Sequence, residues 1–215
     1  CASVGMLCFS VDPQTKNIFI LLGKETCFHN FNSGRGVWCD FGGRPIAGET
    51  HEQTATREFV EESLTTAQID DARVKSSEMY NHVLQTLNRR DYYVKIDMIC
   101  QTHWISNNHA MERMRRIYYV KEIPWQPQIR ESFQSMRNTV VGIKKMHTLS
   151  LDCPSSLQQH PGLRLTPRHL LVDSHYLEKH CVQWWSLDRL NNVLRNGGRF
   201  KNQRFRRSFL PVLKV

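Results

Sequence analysis

The sequence predicts a single α/β domain. Three observations carry that expectation: an apolar hairpin at the start, a capped helix after a glycine-rich passage, and a late strand followed at once by a helix. Met6 to Val11 and Ile18 to Leu22 are β-branched or apolar runs separated by Asp12-Pro13-Gln14-Thr15-Lys16-Asn17, whose proline and asparagine favour a turn. Asn32 to Gly48 carries Gly34, Gly36, Gly42, Gly43 and Gly48 at irregular spacing, which predicts a structured loop with a short strand around Val37 to Phe41. Thr50 followed three residues later by Gln53 has the spacing of a capping box, so a helix is expected from His51 to Leu64.

Further along, Tyr92, Val94, Ile96, Met98 and Cys100 alternate with Lys95, Asp97 and Gln101, the period of a half-buried strand within Asp91 to Ile105. A second strand is expected at Ile117 to Lys121. The pattern then weakens between Pro124 and Arg168, with a helix at Ile129 to Met136 and a loop-rich stretch around Pro154, Pro161 and Pro167. Residues 124–173 are therefore read as an insertion. Val182 to Trp185 reads as the closing strand, Leu187 to Leu194 as a helix and residues 195–215 as a basic C-terminal segment, the whole of 1–215 forming one domain.

With 29 Lys+Arg against 20 Asp+Glu, the formal charge is 29 − 20 = +9, which points to a phosphate-bearing partner such as nucleotide, RNA or inositol phosphate. Ordinary globular usage, 40% hydrophobic and 23% charged, excludes a disordered, collagenous or coiled-coil chain. The apolar run Ser3 to Val11 is far short of the roughly 20 residues a membrane span needs. It lacks the flanks of a signal peptide, and a chain beginning at Cys1 rather than Met is expected to be trimmed. Seven scattered cysteines (Cys1, Cys8, Cys27, Cys39, Cys100, Cys153 and Cys181) fit free thiols, hence a cytoplasmic location without a membrane partner.

Glu58, Glu61 and Glu62 stand at i, i+3 and i+4, so on a helix they share one face. Like charges this close repel unless solvent or a cation separates them, and carboxylate oxygens are what Mg²⁺, Mn²⁺ or Ca²⁺ prefer. On periodicity alone a solvated acidic face is the simpler reading. The surrounding residues reverse it. Gly43, Glu49 six positions later, and then Arg57-Glu58-Phe59-Val60-Glu61-Glu62 resemble the Nudix box, Gly-x5-Glu-x7-Arg-Glu-U-x-Glu-Glu-x-Gly-U, where U is bulky and usually aliphatic. Only the second glycine is missing among the fixed positions. Leu64 takes its place, Thr65 follows where an aliphatic is usual, Phe59 is aromatic, and Phe41 stands where a proline commonly precedes the double glycine.

The resemblance implies an α/β/α sandwich with a mixed central sheet and an insertion before the closing strand. It also implies a hydrolase that uses Mg²⁺ or Mn²⁺ to cleave a diphosphate linkage, as Nudix pyrophosphatases do. Carried over residue by residue, Glu58 and Glu62 become direct metal ligands, Glu61 a ligand directly or through water, and the backbone carbonyl of Gly42 a further donor. Arg57 and Glu49 would fix the loop against the helix. Glu178, six residues before Trp184, is the candidate for a further catalytic base or ligand, with Asp173 and Glu122 as rivals and a solvated loop residue as the plain alternative. Lys24 and Arg44 stand where family members reach substrate phosphate. Trp38, Phe41, Trp184 and Trp185 could stack a base, although packing is the expectation for Trp184.

Two further signals remain open. Arg195, Arg199, Lys201, Arg204, Arg206 and Arg207 interleave with Phe200, Phe205 and Phe209, compatible either with RNA binding or with an end segment packed on the domain. Cys153, His160, His169, His175, His180 and Cys181 lack the CxxC of a structural zinc site, and Gly34-Arg35-Gly36 is too short for a phosphate loop. The expected substrate is a nucleoside-diphosphate-linked molecule, with 5′-capped mRNA (decapping) the leading specific choice. Nucleoside triphosphates, dinucleoside polyphosphates and inositol pyrophosphates are the others. The alternative from a different class is a Nudix-like RNA- or nucleotide-binding module without turnover.

Overall fold

The computed structural model describes residues 2–26, 36–71, 74–103, 111–149, 177–206 and 209–214. Outside them lie Cys1, Cys27, Gly34, Arg35, Pro154, Pro161, Pro167 and Arg207, and the candidates Cys153, His160, His169, Asp173 and His175. The apolar runs at the start form β1 (Ala2–Val11) and β2 (Ile18–Glu25). The expected turn lies between them, where the Asp12 carboxylate, beside the proline read as the turn signal, accepts from the Gln14 amide and the Thr15 hydroxyl.

This hairpin is splayed. β1 and β2 pair only over Phe9–Val11 and Ile18–Ile20; beyond that the gap is filled by β3 (Trp38–Cys39), paired with β2, and β4 (Phe41–Gly43), paired with β1. The short strand expected near Val37 is thus two strands that share the space between others. β6 (Met111–Glu122) runs parallel to β1, β5 (Val94–His103) runs antiparallel to β6, and β7 (Lys179–Ser186) runs antiparallel to β2. Together they make a mixed seven-stranded sheet.

Helices cover both faces, giving the α/β/α sandwich. One face packs Val4, Met6, Leu21 and Phe41 against α1 (His51–Ser63), α2 (Met79–Asn88) and α3 (Ile129–Leu149). The other packs Leu7, Leu22, Tyr118 and Trp185 against α4 (Leu187–Arg195) and the C-terminal segment. That segment turns through β8 (Arg199–Phe200) and β9 (Gln203–Arg204) and buries Phe205, Phe209 and Val212, while Arg195, Arg199, Lys201 and Arg204 stay exposed. Phe205 and Phe209 are core and Phe200 is half-buried, while Arg206 turns inward to pair with Glu25.

Two helices also differ from the sequence expectation. α2 was not anticipated: Glu78 makes no side-chain cap, so the helix lacks a start signal, and a single stripe, Met79, Val83 and Leu87, secures it by burial. α3 continues well past Met136, through much of the span read as an insertion. No helix among the described residues is long and apolar enough to cross a membrane.

α1 begins as expected. The Thr50 hydroxyl accepts from the Gln53 amide at 3.1 Å and the Gln53 side chain accepts from the Thr50 amide at 2.8 Å, a complete capping box. Its end explains the missing glycine. Leu64 adopts the left-handed conformation, φ 52°, that normally favours glycine, yet its side chain is 4% exposed in the core. Burying a leucine contributes roughly 1.5–3 kcal/mol and truncation leaves a cavity besides, against about 1–2 kcal/mol for the backbone conformation. Burial wins, so Leu64→Gly is expected to lower the unfolding free energy by roughly 1–3 kcal/mol in urea titration.

Candidate active site

The wedge of β3 and β4 lays the double glycine under α1. At Gly43 an added Cβ would run into the Glu58 carboxylate, so the missing side chain makes the room that Glu58 occupies. Glu49, at the end of the loop, and Arg57, on the second turn of α1, lock loop and helix together. Arg57 Nε donates to Glu49 Oε1 at 2.8 Å and Nη2 to Glu49 Oε2 at 3.1 Å, a bidentate pair, and Nη2 also donates to the Arg44 carbonyl at 3.1 Å. The guanidinium, with the Ile46 amide and the Thr54 hydroxyl, holds the Glu49 carboxyl down to about 2.

The remaining guanidinium nitrogen, Nη1, serves two more carboxylates, Glu58 Oε1 at 2.7 Å and Glu61 Oε2 at 3.3 Å. Burial raises the Glu58 carboxyl above its ordinary range, Arg57 opposes that, and the charge of Glu178 adds to it. The Glu178 backbone carbonyl accepts from the Thr26 amide. Its rival Glu122 ends β6 with an exposed side chain.

Glu62 points elsewhere. It is 3% exposed, accepting from the Gly42 amide on Oε2 and from Lys179 Nζ on Oε1, each at 2.9 Å. Burial pushes its carboxyl above the ordinary range against the pull of Lys179. Burial also works against the Lys179 charge, but Cys39, Glu62 and Glu25 together outweigh it and hold the ammonium on. Lys179 carried no signal in the sequence beyond its place beside Glu178. Its partners come from positions 25, 39 and 62, which only the fold brings together.

Hard oxygen donors of Glu58 and Glu61 already converge on one positive centre, the chemistry a divalent ion requires. That pair fits such an ion. No group of three or more His, Cys, Asp or Glu is gathered to hold a metal among the described residues, zinc-type ligands included.

The phosphate candidates separate. Arg44 is exposed beside the box loop, whereas Lys24 lines a cleft of about 720 Å³ with Trp38, Arg130, His180, Phe200 and Gln203. Trp38 is buried there, its indole N–H donating to Gln203 Oε1 at 2.9 Å, and Trp185 meets it edge-on. Trp184 packs on the other face, stacked on Trp125 and donating to the Gln126 carbonyl. Phe41 is wholly buried. Of the four aromatics considered for base stacking, only Trp38 and Trp185 border the cleft.

No family model and no curated protein matches the chain. Solved structures do follow its course. The Nudix domain of Shewanella oneidensis NrtR, solved with ADP ribose, aligns with 99% of this chain and 83% of that domain at 13% identity and a TM-score of 0.42. Shewanella oneidensis NrtR solved with a 27mer DNA aligns with 99% of this chain and 58% of its own at 12% identity, TM-score 0.42. A Nudix hydrolase from Alicyclobacillus acidocaldarius aligns over 99% of this chain and 89% of its own at 12% identity, TM-score 0.44, and the T. brucei MERS1–RNA complex over 98% and 62% at 9%, TM-score 0.39. At these identities the likeness is one of chain course. The functional reading rests on the chain's own residues.

Proposed function

We propose that this chain is a divalent-metal-dependent Nudix hydrolase that cleaves a diphosphate linkage in a nucleoside-diphosphate-linked substrate. The observation that carries the reading is the Arg57 fork. A single guanidinium ties Glu49 of the loop to Glu58 and Glu61 of the helix, fixing two carboxylates on one side of α1. A structural acidic face needs no such clamp. Glu58 and Glu61 would hold Mg²⁺ or Mn²⁺, with Glu178 as a third oxygen donor or as the base that takes a proton from the attacking water. When bound, the ion neutralises phosphate charge and polarises that water.

The remaining residues bind and orient. Lys24 and Arg130 supply cations to the cleft and Phe200 an aromatic edge, a combination suited to a nucleoside with phosphate attached. Exposed Arg195, Arg199, Lys201 and Arg204 extend positive charge along the C-terminal segment, which favours a long polyanion and makes 5′-capped RNA the specific substrate proposed. Cys8, Cys39 and Cys181 are free thiols, in keeping with a cytoplasmic setting.

The test is incubation with Mg²⁺ or Mn²⁺ and capped RNA, nucleoside triphosphates, dinucleoside polyphosphates, nucleotide sugars and inositol pyrophosphates, with products resolved by mass. Release of a nucleoside diphosphate from capped RNA is the expected result. Turnover of a small nucleotide alone would keep the hydrolase and discard the RNA substrate. Tight RNA binding with no turnover of anything would replace the enzyme with a binding module.

A further inference from the structure

Lys179 is a charged side chain that the proposed reaction does not use, and it is 1% exposed. Its stem crosses β2 at Gly23, where an added Cβ would come within 2.8 to 3.0 Å of Lys179 Cγ, Cδ and Cε. Only a glycine there leaves the passage open. At the far end Nζ lies 2.9 Å from Glu62 Oε1, 2.9 Å from Cys39 Sγ and 3.7 Å from Glu25 Oε1. Glu25 is held in turn by Arg206 of the C-terminal segment. The ammonium thus sits in a built enclosure with strands β2, β3 and β7 around it and α1 above.

Both oxygens of Glu62 are taken before any ion arrives, one by this ammonium and one by the Gly42 amide. An ion placed on Glu62 would have to displace a donor that has nowhere to go, since the stem is fixed, and would sit beside a positive charge. Glu58 and Glu61 differ. Their shared partner is Arg57, whose Nε and Nη2 remain anchored on Glu49 if Nη1 gives way.

We propose that Lys179 is a fixed internal cation that withdraws Glu62 from the metal-binding set, so that α1 holds one divalent ion, on Glu58 and Glu61, in place of a cluster on all three carboxylates. Glu62 is then a positioning residue, tying the Gly42 backbone and β7 to the helix. This rests on the metal-dependent reading above, and the two fail in different ways.

Counting Mn²⁺ bound to the full chain by electron paramagnetic resonance of the free ion reads the difference without any turnover. One ion per chain is expected. Glu58→Gln should weaken it by roughly tenfold or more, whereas Glu62→Gln should leave its affinity within about threefold. Lys179→Met, which bares Glu62, should gain a second ion. Two ions on the unmodified chain, loss of the ion in Glu62→Gln, or a folded Lys179→Met that still binds one would each overturn the proposal while leaving the metal-dependent reading intact. No Mn²⁺ on the unmodified chain would overturn both. If Lys179→Met does not fold, the Glu62→Gln titration decides alone.

Discussion

Replacing Glu58 by glutamine is expected to lower the proposed diphosphate hydrolysis by roughly 100-fold or more while the fold survives. Outer partners of metal sites typically cost 10- to 100-fold when removed, and Glu58 is proposed as a direct ligand, so its loss belongs at or beyond the upper end. The amide keeps the shape that fits over Gly43 and can still accept from Arg57, which is why stability should hold. Steady-state kinetics on whichever substrate the panel identifies, with a thermal melt alongside, gives the comparison. A variant that keeps a third or more of the turnover would remove Glu58 from the chemistry.

The second large effect is on stability. Phe59→Ala is expected to cost about 3–5 kcal/mol, read as a lower urea midpoint at unchanged slope. Phe59 is wholly buried on the inner face of α1 and meets Phe41 edge-on, centroids 5.7 Å apart and planes at 83°. These are two of the residues by which the chain departs from the usual box pattern, and the structure makes them one contact. A phenylalanine before the double glycine and a phenylalanine on the helix compensate each other across the loop–helix seam. An edge-to-face pair contributes about 0.5–1.5 kcal/mol beyond area burial, so Phe41→Leu with Phe59→Leu should be less costly than the two single changes summed. Strict additivity would mean the rings are independent.

Local signals made much of this legible. The hairpin, the capping box, the period-2 strand and the closing strand with its helix depend on residues a few positions apart, and each lies where the sequence places it, to within a few residues at the ends. β6 runs longer than expected because its first half, Met111 to Arg116, is carried by pairing with β5, not by its own apolar content. α2 is not legible locally because it has no side-chain cap and rests on the burial of Met79, Val83, Thr86 and Leu87. In the site, Arg57 and Glu49 pair as the box spacing implies, since both lie on one loop–helix unit. Lys179 could not be read in the same way. Its partners come from three distant stretches of chain, and nothing in Leu177-Glu178-Lys179 marks the third residue as the buried one.

The splayed hairpin also decides when a growing chain can possess a site at all. The box loop and α1 are complete by residue 63, but the sheet beneath them is not. β1 must wait for residues 111–122 to gain its parallel neighbour, and β2 for residues 179–186. Parallel and distant pairings of this kind carry a large loop-closure cost that local contacts do not offset. Until β7 and the C-terminal segment are in place, Glu62 lacks its lysine and Glu25 lacks Arg206. A shortened chain ending before β7 would keep the carboxylate helix and lose the strand that supplies Lys179. It would leave Glu62 without the cation that offsets its burial, so β7 and the C-terminal segment complete the surroundings of the carboxylate helix.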